Sequence, residues 1–355
     1  MYQKDLLRKY IKDSELRVFK NKIKVRLSKD LAVKYDQGVY NNYLNKMLKC
    51  YELISALNIK YPSNANPEFY IYIVPDESCA EMLSIPETFN NGKGGGKPVG
   101  CQDLDGFNYA YGVSQNRCEN HPNNNGNIMS FANNVHELAH LVHGQFFGKS
   151  SLLGEGFAEA LSLYTLGLEE EFSEHEKAIK NLTEDKIYTA QELLTQEREN
   201  SFGKEALVPN KSCSFRLSYI SSYLFVRGII QRIEKKYNLN KKEATQNFLE
   251  MIRQSNYSNE WLIFDIADTL DMSHDELLNG KQMQISIIKE LLEQELSELN
   301  LDIKALEKQF KDKSIKEGKT EIEQEIKTCS RRIGSIEDRL GALAKNEKEN
   351  IKKDK

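Results

Sequence analysis

The chain reads as an α+β fold in three stretches: a small mixed sheet at the front, a helical part behind it, and an antiparallel helical hairpin at the C-terminus. Three observations predict this. Short runs before residue 115 carry strand patterning, the middle of the chain carries apolar residues at helical spacing, and the last stretch carries heptads. The expected organisation is a larger domain over residues 1–281, divided into an α/β upper part (1–128) and a helical part (129–281), followed by a hairpin and charged tail over 282–355.

Taken in order, Lys22-Ile23-Lys24-Val25-Arg26-Leu27 alternates at period two, as a half-buried strand does. Tyr40, Leu44, Met47, Tyr51 and Ile54 recur at helical spacing and predict a helix over 40–57. Phe69 to Val74 is a continuous apolar run closed by Pro75, which suggests a central strand. Asn91 to Pro98 is glycine-rich, yet no Ser or Thr follows its lysines as a phosphate loop requires, so a flexible surface loop is expected. Phe107, Tyr109, Tyr111 and Val113 alternate with Asn108, Ala110, Gly112 and Ser114, predicting a strand. Asn123 to Asn127 is a turn, with Ser130 as the expected N-cap of the next helix.

That helix carries His136-Glu137-Leu138-Ala139-His140. Residues four apart share a helix face, so His136 and His140 can converge on one ion, with Glu137 beside it to take a proton from water. A hydrolytic zinc site keeps three protein ligands and one open position, so a third ligand must come from elsewhere. After a break at residues 144–150, Leu152 to Tyr164 reads as a second helix: Phe157, Ala160, Leu161 and Tyr164 form an apolar stripe, and Glu155, Glu159 and Ser162 lie on the other side. So short a link would return Glu155 towards the histidines, and Glu159, one turn on, suits support of a ligand ring. His143 lies about 10.5 Å along the helix from His136, too far to share an ion with it, and reads as a residue lining the pocket. His121, His175 and His274 read as surface histidines.

HExxH on one helix followed by Glu-Gly-Phe-Ala-Glu on the next resembles the gluzincin metallopeptidases, among them thermolysin, the zinc aminopeptidases, anthrax lethal factor and the bacterial collagenases; the element order looks most like the last. The resemblance implies a thermolysin-like catalytic domain, Zn2+ held by His136, His140 and Glu155, Glu137 as general base, and Glu159 hydrogen-bonded to a ligand histidine. The link between His140 and Glu155 is shorter than in thermolysin or the aminopeptidases, whereas Glu159 stands at the aminopeptidase spacing, so Glu159 as the ligand stays open. Tyr219, on a strongly apolar helix expected from Ser218 to about Tyr237, is by the same likeness the donor to the oxyanion, with Tyr223 the weaker candidate; a core role for both stays open. In such enzymes an edge strand above the metal grips the substrate backbone, and residues 108–114 are expected to do so here.

In the last stretch Leu292, Leu296, Leu299, Ile303, Leu306 and Phe310, and again Ile322, Ile326, Cys329, Ile333, Ile336, Leu340 and Leu343, alternate spacings of four and three. The phase breaks at Lys316 to Lys319, so two helices fold back on each other. Thr320 with Glu323 is expected to form a capping box, and Lys345 to Lys355 a solvated tail. The hairpin is an appendage, or docks a protein partner or a second copy.

Net charge −4 with 29% charged residues implies no nucleic-acid or anionic-membrane partner. No apolar run is long enough for membrane insertion, and Met1 to Tyr10 has no apolar signal core; a cytoplasmic location, export without such a signal, or a missing leader all stay open. Of 6 cysteines, Cys50 and Cys329 read as small buried apolar residues, and Cys101 and Cys118 are candidates for pairing. The expected activity is zinc-dependent hydrolysis of peptide bonds in a peptide or protein substrate. An endopeptidase is preferred because no Gly-x-Met-Glu-Asn signature of the aminopeptidases is present, with a zinc aminopeptidase or a non-catalytic zinc-containing binding protein acting through its hairpin as the alternatives.

Overall fold

Alternating burial builds the first strands. In the computed structural model, which describes residues 12–63, 65, 68–75, 98–104, 107–115, 118, 131–146, 151–168, 173–204, 208–209, 214–254, 259–311 and 318–353, β2 (Ile23–Ser28) buries Ile23, Val25 and Leu27 and turns Lys24, Arg26 and Ser28 outward. It pairs antiparallel with β1 (Ser14–Phe19), a strand the sequence reading missed because its polar residues mask the period. β3 (Tyr70–Val74) is buried along its whole length, as the unbroken apolar run requires of a central strand. β4 (Pro98–Leu104) and β5 (Phe107–Ser114) complete a mixed five-stranded sheet in the order β1-β2-β3-β5-β4. β3 runs parallel to both β2 and β5, and β4 antiparallel to β5.

This order corrects one expectation. Residues 108–114 lie in β5, which is hydrogen-bonded to β3 on one side and β4 on the other, so β5 is not an edge. Alternation records which faces a strand presents and says nothing of its lateral neighbours. Among the described residues the edges are β1 and β4.

The fold is thus mixed α+β and mostly helical. Helix α1 (Lys29–Asp36) follows β2, and α2 (Asn41–Ser55) buries Leu44, Met47 and Ile54 on the predicted face. Helix α3 (Phe131–His143) packs against β4, β5 and α2. Helix α4 (Ser151–Glu159) passes directly into a π-helical turn (Ala160–Thr165), and both lie against α3. The predicted split of this segment into apolar and polar sides does not hold: Glu155 and Ser162 are as buried as Phe157 and Leu161. Ser162 is accommodated because its hydroxyl donates to the Ala158 and Glu159 carbonyls. After α5 (Ser173–Lys180) comes α6 (Ala190–Arg198), begun by a capping box in which Thr189 and Glu192 exchange side-chain and backbone hydrogen bonds.

Helix α7 (Leu217–Tyr237) is the long central helix, buried nearly all round to Ile233. It touches α4 more than any other helix does, and Gly156 is why: a Cβ there would lie 2.5 Å from the Ser222 carbonyl oxygen and 2.6 Å from Val226 Cγ2. Helices α8 (Lys241–Gln254), α9 (Asn259–Thr269) and α10 (His274–Asn279) follow.

The chain divides into two compact units, residues 1–176 with 188–280, and residues 177–187 with 281–355. The second consists of α11 (Gln282–Lys311) and α12 (Lys319–Lys353) with the short inserted segment. The two helices are antiparallel: Lys319 Nζ lies 5.5 Å from the Phe310 ring centre, and further along Arg332 forks onto Glu295 at 2.7 and 3.3 Å. Glu295 also accepts Lys180 at 3.0 Å, which ties the inserted segment to α11. One local expectation fails: helix α12 begins at Lys319, leaving Thr320 inside the first turn rather than at the cap. Its backbone is helical to Lys353. Among the described residues no helix is long and apolar enough to cross a membrane.

Candidate metal centre

Two adjacent helices of the first unit supply the site. His136 and His140, four apart on α3, present their Nε2 atoms 3.1 Å from each other. Their rings meet nearly edge to face. Glu155, from the first half of α4, brings Oε2 to 3.3 Å from His136 Nε2 and 3.3 Å from His140 Nε2. One turn later Glu159 Oε1 lies 3.5 Å from His136 Nδ1, on the far side of that ring.

The three inner donors therefore form a nearly equilateral triangle. A tetrahedral ion with bonds of about 2.0–2.1 Å has donor–donor edges of about 3.3–3.4 Å, so the triangle is the size of one face of such a shell. Two imidazoles and one carboxylate are donors that suit a borderline divalent ion. His136, His140 and Glu155 can thus hold a metal ion. Glu155 rather than Glu159 completes the set, and Glu159 backs His136.

Electrostatics point the same way. Burial by itself would lower the pKa of His136, but the negative charges of Glu159, Glu155 and Glu137 outweigh it and raise it to about 9. Burial would raise that of Glu155, but His140 and His136 hold its carboxyl well below the usual carboxylate range. Three carboxylates gathered around two imidazoles demand a positive charge. Without a metal the raised pKa favours a proton on His136, with which an incoming cation would compete.

His143 faces elsewhere. It is 4% exposed, its ring lies 5.7 Å from that of Phe157, and burial, then the neighbouring His140, lowers its pKa to about 3. It is a neutral packing residue. His274 is exposed, with Nε2 2.8 Å from Asp268 and its ring stacked on Phe264. His121, Ser130, the loop over 91–97 and the side chains of His175 and Cys101 lie outside the described residues, so the Cys101–Cys118 pairing does too; Cys118 itself is buried.

The acids of the site act on the first tyrosine candidate, Tyr219. Burial first, then the charge of Glu155 and, more weakly, those of Glu137 and Glu159, push its phenol far above the ordinary tyrosine range. The hydroxyl is therefore protonated, and a donor, throughout the neutral range. Tyr223 is 1% exposed and its hydroxyl accepts from Arg227 Nη1 at 2.9 Å, which makes it a core residue. Sequence reasoning missed the surroundings of Tyr219, namely Phe202, Gly203 and Arg216, since they come from an irregular turn and a helix cap without periodicity.

Comparison with family models, with curated proteins and with solved structures finds no match.

Proposed function

We propose that the protein is a zinc-dependent endopeptidase of gluzincin type, with His136, His140 and Glu155 holding the ion. The observation that carries this reading is the convergence of three donors at 3.1–3.3 Å with a carboxylate, Glu137, on the turn between the two histidines. When bound, a divalent ion there supplies Lewis-acid activation of water, lowering its pKa from 15.7 towards about 7. Glu137 accepts the proton of the attacking water and passes it to the leaving amine. Tyr219 donates its hydroxyl hydrogen bond to the oxyanion that develops on the carbonyl. Glu159 fixes the ring orientation of His136 through Nδ1.

The backbone grip passes from β5 to β4. Among the described residues β4, which packs against α3, is the edge strand on that side, and an extended peptide would add along it as a sixth strand. A peptide held along its backbone is read independently of its ends, which favours internal cleavage.

The test is Glu137→Gln in a preparation whose metal content is measured. The variant keeps a full complement of zinc and loses hydrolysis of an unfolded protein substrate by 10²-fold or more; turnover at the wild-type rate refutes the assigned base. A second reading, a zinc-containing binding protein acting through the hairpin, draws on the half-exposed seam at Leu299, Ile303 and Leu306. Full-length wild-type protein that holds zinc, cuts nothing and captures a partner would favour it.

A further inference from the structure

Tyr219 is held by a turn that no catalytic motif includes. Residues 201–204 close off α6: the amides of Ser201 and Phe202 donate to the Gln196 carbonyl at 2.8 and 3.2 Å, and that of Lys204 to the Ser201 carbonyl at 2.9 Å. Gly203 sits in the left-handed region at φ +70° and is buried. Its N–H donates to Ser218 Oγ at 3.2 Å, tying the turn to the first residues of α7. A Cβ at residue 203 would lie 2.8 Å from Tyr219 Cε2, 3.1 Å from Arg216 Nη1 and 3.6 Å from the Tyr219 hydroxyl. The Phe202 ring lies 5.7 Å from the Tyr219 ring, and the Arg216 guanidinium 6.0 Å from it.

We infer that the 201–204 turn is a positioning clamp for Tyr219, with the bare Cα of Gly203 and the ring of Phe202 setting the angle at which the phenol meets the site. This rests on the proposed role of Tyr219 and deepens it. The glycine serves two separate demands, a backbone that L-residues rarely adopt and an absence of side chain against an aromatic ring. Asparagine tolerates the first but not the second, and that difference separates a clamp from an ordinary turn.

The experiment compares Gly203→Ala and Gly203→Asn in full-length protein, with and without Tyr219→Phe. Tyr219→Phe lowers kcat about 10²-fold. For the clamp, Gly203→Ala and Gly203→Asn each lower kcat about tenfold or more with KM and zinc content unchanged, and Gly203→Asn adds less than twofold in the Tyr219→Phe background. A backbone-only role predicts loss in Gly203→Ala with wild-type kcat in Gly203→Asn, which overturns the inference; so does an equal loss in both backgrounds. A second readout needs neither metal nor activity. Tyrosine ring 13C resonances of the metal-free protein, with Tyr219 identified through Tyr219→Phe, shift at Tyr219 in Gly203→Asn and in Ser218→Ala, which removes the acceptor of the Gly203 amide. An unmoved Tyr219 resonance in both variants overturns the clamp even if no peptide is ever cut, whereas inactivity of wild-type protein with a shifted resonance refutes the peptidase reading alone.

Discussion

Gly156→Ala puts one methyl group where α4 and α7 meet, between the two acids of the site. That methyl would stand 2.5 Å from the Ser222 carbonyl oxygen, 2.6 Å from Val226 Cγ2 and 2.8 Å from Ser222 Oγ. Ordinary contact begins at 3.4 Å, so the helices must part by about 0.9 Å. The obstructing carbonyl is helix backbone, and the Ser222 hydroxyl is itself committed to the Leu152 carbonyl, so neither can turn aside. Overpacking of this kind costs about 1–3 kcal/mol, and the better helix propensity of alanine returns about 0.5–1 kcal/mol. The expected net loss is therefore about 0–2.5 kcal/mol, centred at about 1 kcal/mol. The consequence for the site is larger. Metal–ligand distances tolerate only about 0.2 Å, and Glu155 precedes the displaced residue, so zinc affinity falls by more than tenfold. Denaturant unfolding of metal-free protein and a chelator-competition titration measure the two effects. Gly154→Ala on the same helix is the control: its Cβ would meet His143 and His140 Nδ1 at 3.8 and 3.9 Å, ordinary contact, and stability is unchanged or raised by about 0.5–1 kcal/mol. Wild-type stability and zinc affinity in Gly156→Ala would refute the close approach and, with it, the argument that this glycine seats the third ligand.

Three further outcomes follow from the same geometry. Glu159→Ala, which removes the carboxylate behind His136 Nδ1, lowers zinc affinity about 10–100-fold without abolishing it, whereas Glu155→Ala abolishes stoichiometric binding; equal losses in the two would show that the acids share one role. The folded pKa of His136 is raised to about 9, so its contribution to the stability of metal-free protein is complete below about pH 6.5 and is lost as pH rises through about 9. Unfolding midpoints should decline across that window without zinc and hold with it, and zinc loading near pH 7 should release a proton to an indicator dye. Glu295→Gln weakens the acceptor shared by Lys180 and Arg332 in the second unit and lowers hydrogen-exchange protection around residues 288–296 by about 1–2 kcal/mol, with unaltered protection counting against the triad as a fastening.

Local periodicity was enough to read β2, β3, β5, α2, α3, α7 and both hairpin helices, because each is defined by which of its own side chains are apolar. The same locality made His136, Glu137 and His140 legible, since a spacing of four on one helix puts both rings on one face whatever else the chain does. Other features depended on partners distant in sequence. β1 exists through its pairing with β2, and no capping box forms at Thr320 because α12 begins two residues earlier than that motif needs.

What the amino-acid order determined by itself was the chemistry available: two imidazoles and three carboxylates, one between the histidines and two a short way on. What only the tertiary structure decided was which atoms meet. Glu155 lies against both histidines where Glu159 reaches only His136, Tyr223 is tied to Arg227 in the core, and among the described residues β4 rather than β5 is an edge. The physical reason is that helix phase and strand alternation are set within a few residues. The separation of two helices, the lateral order of a sheet and the turn packed beside a phenol ring are set by contacts whose partners lie tens of residues apart.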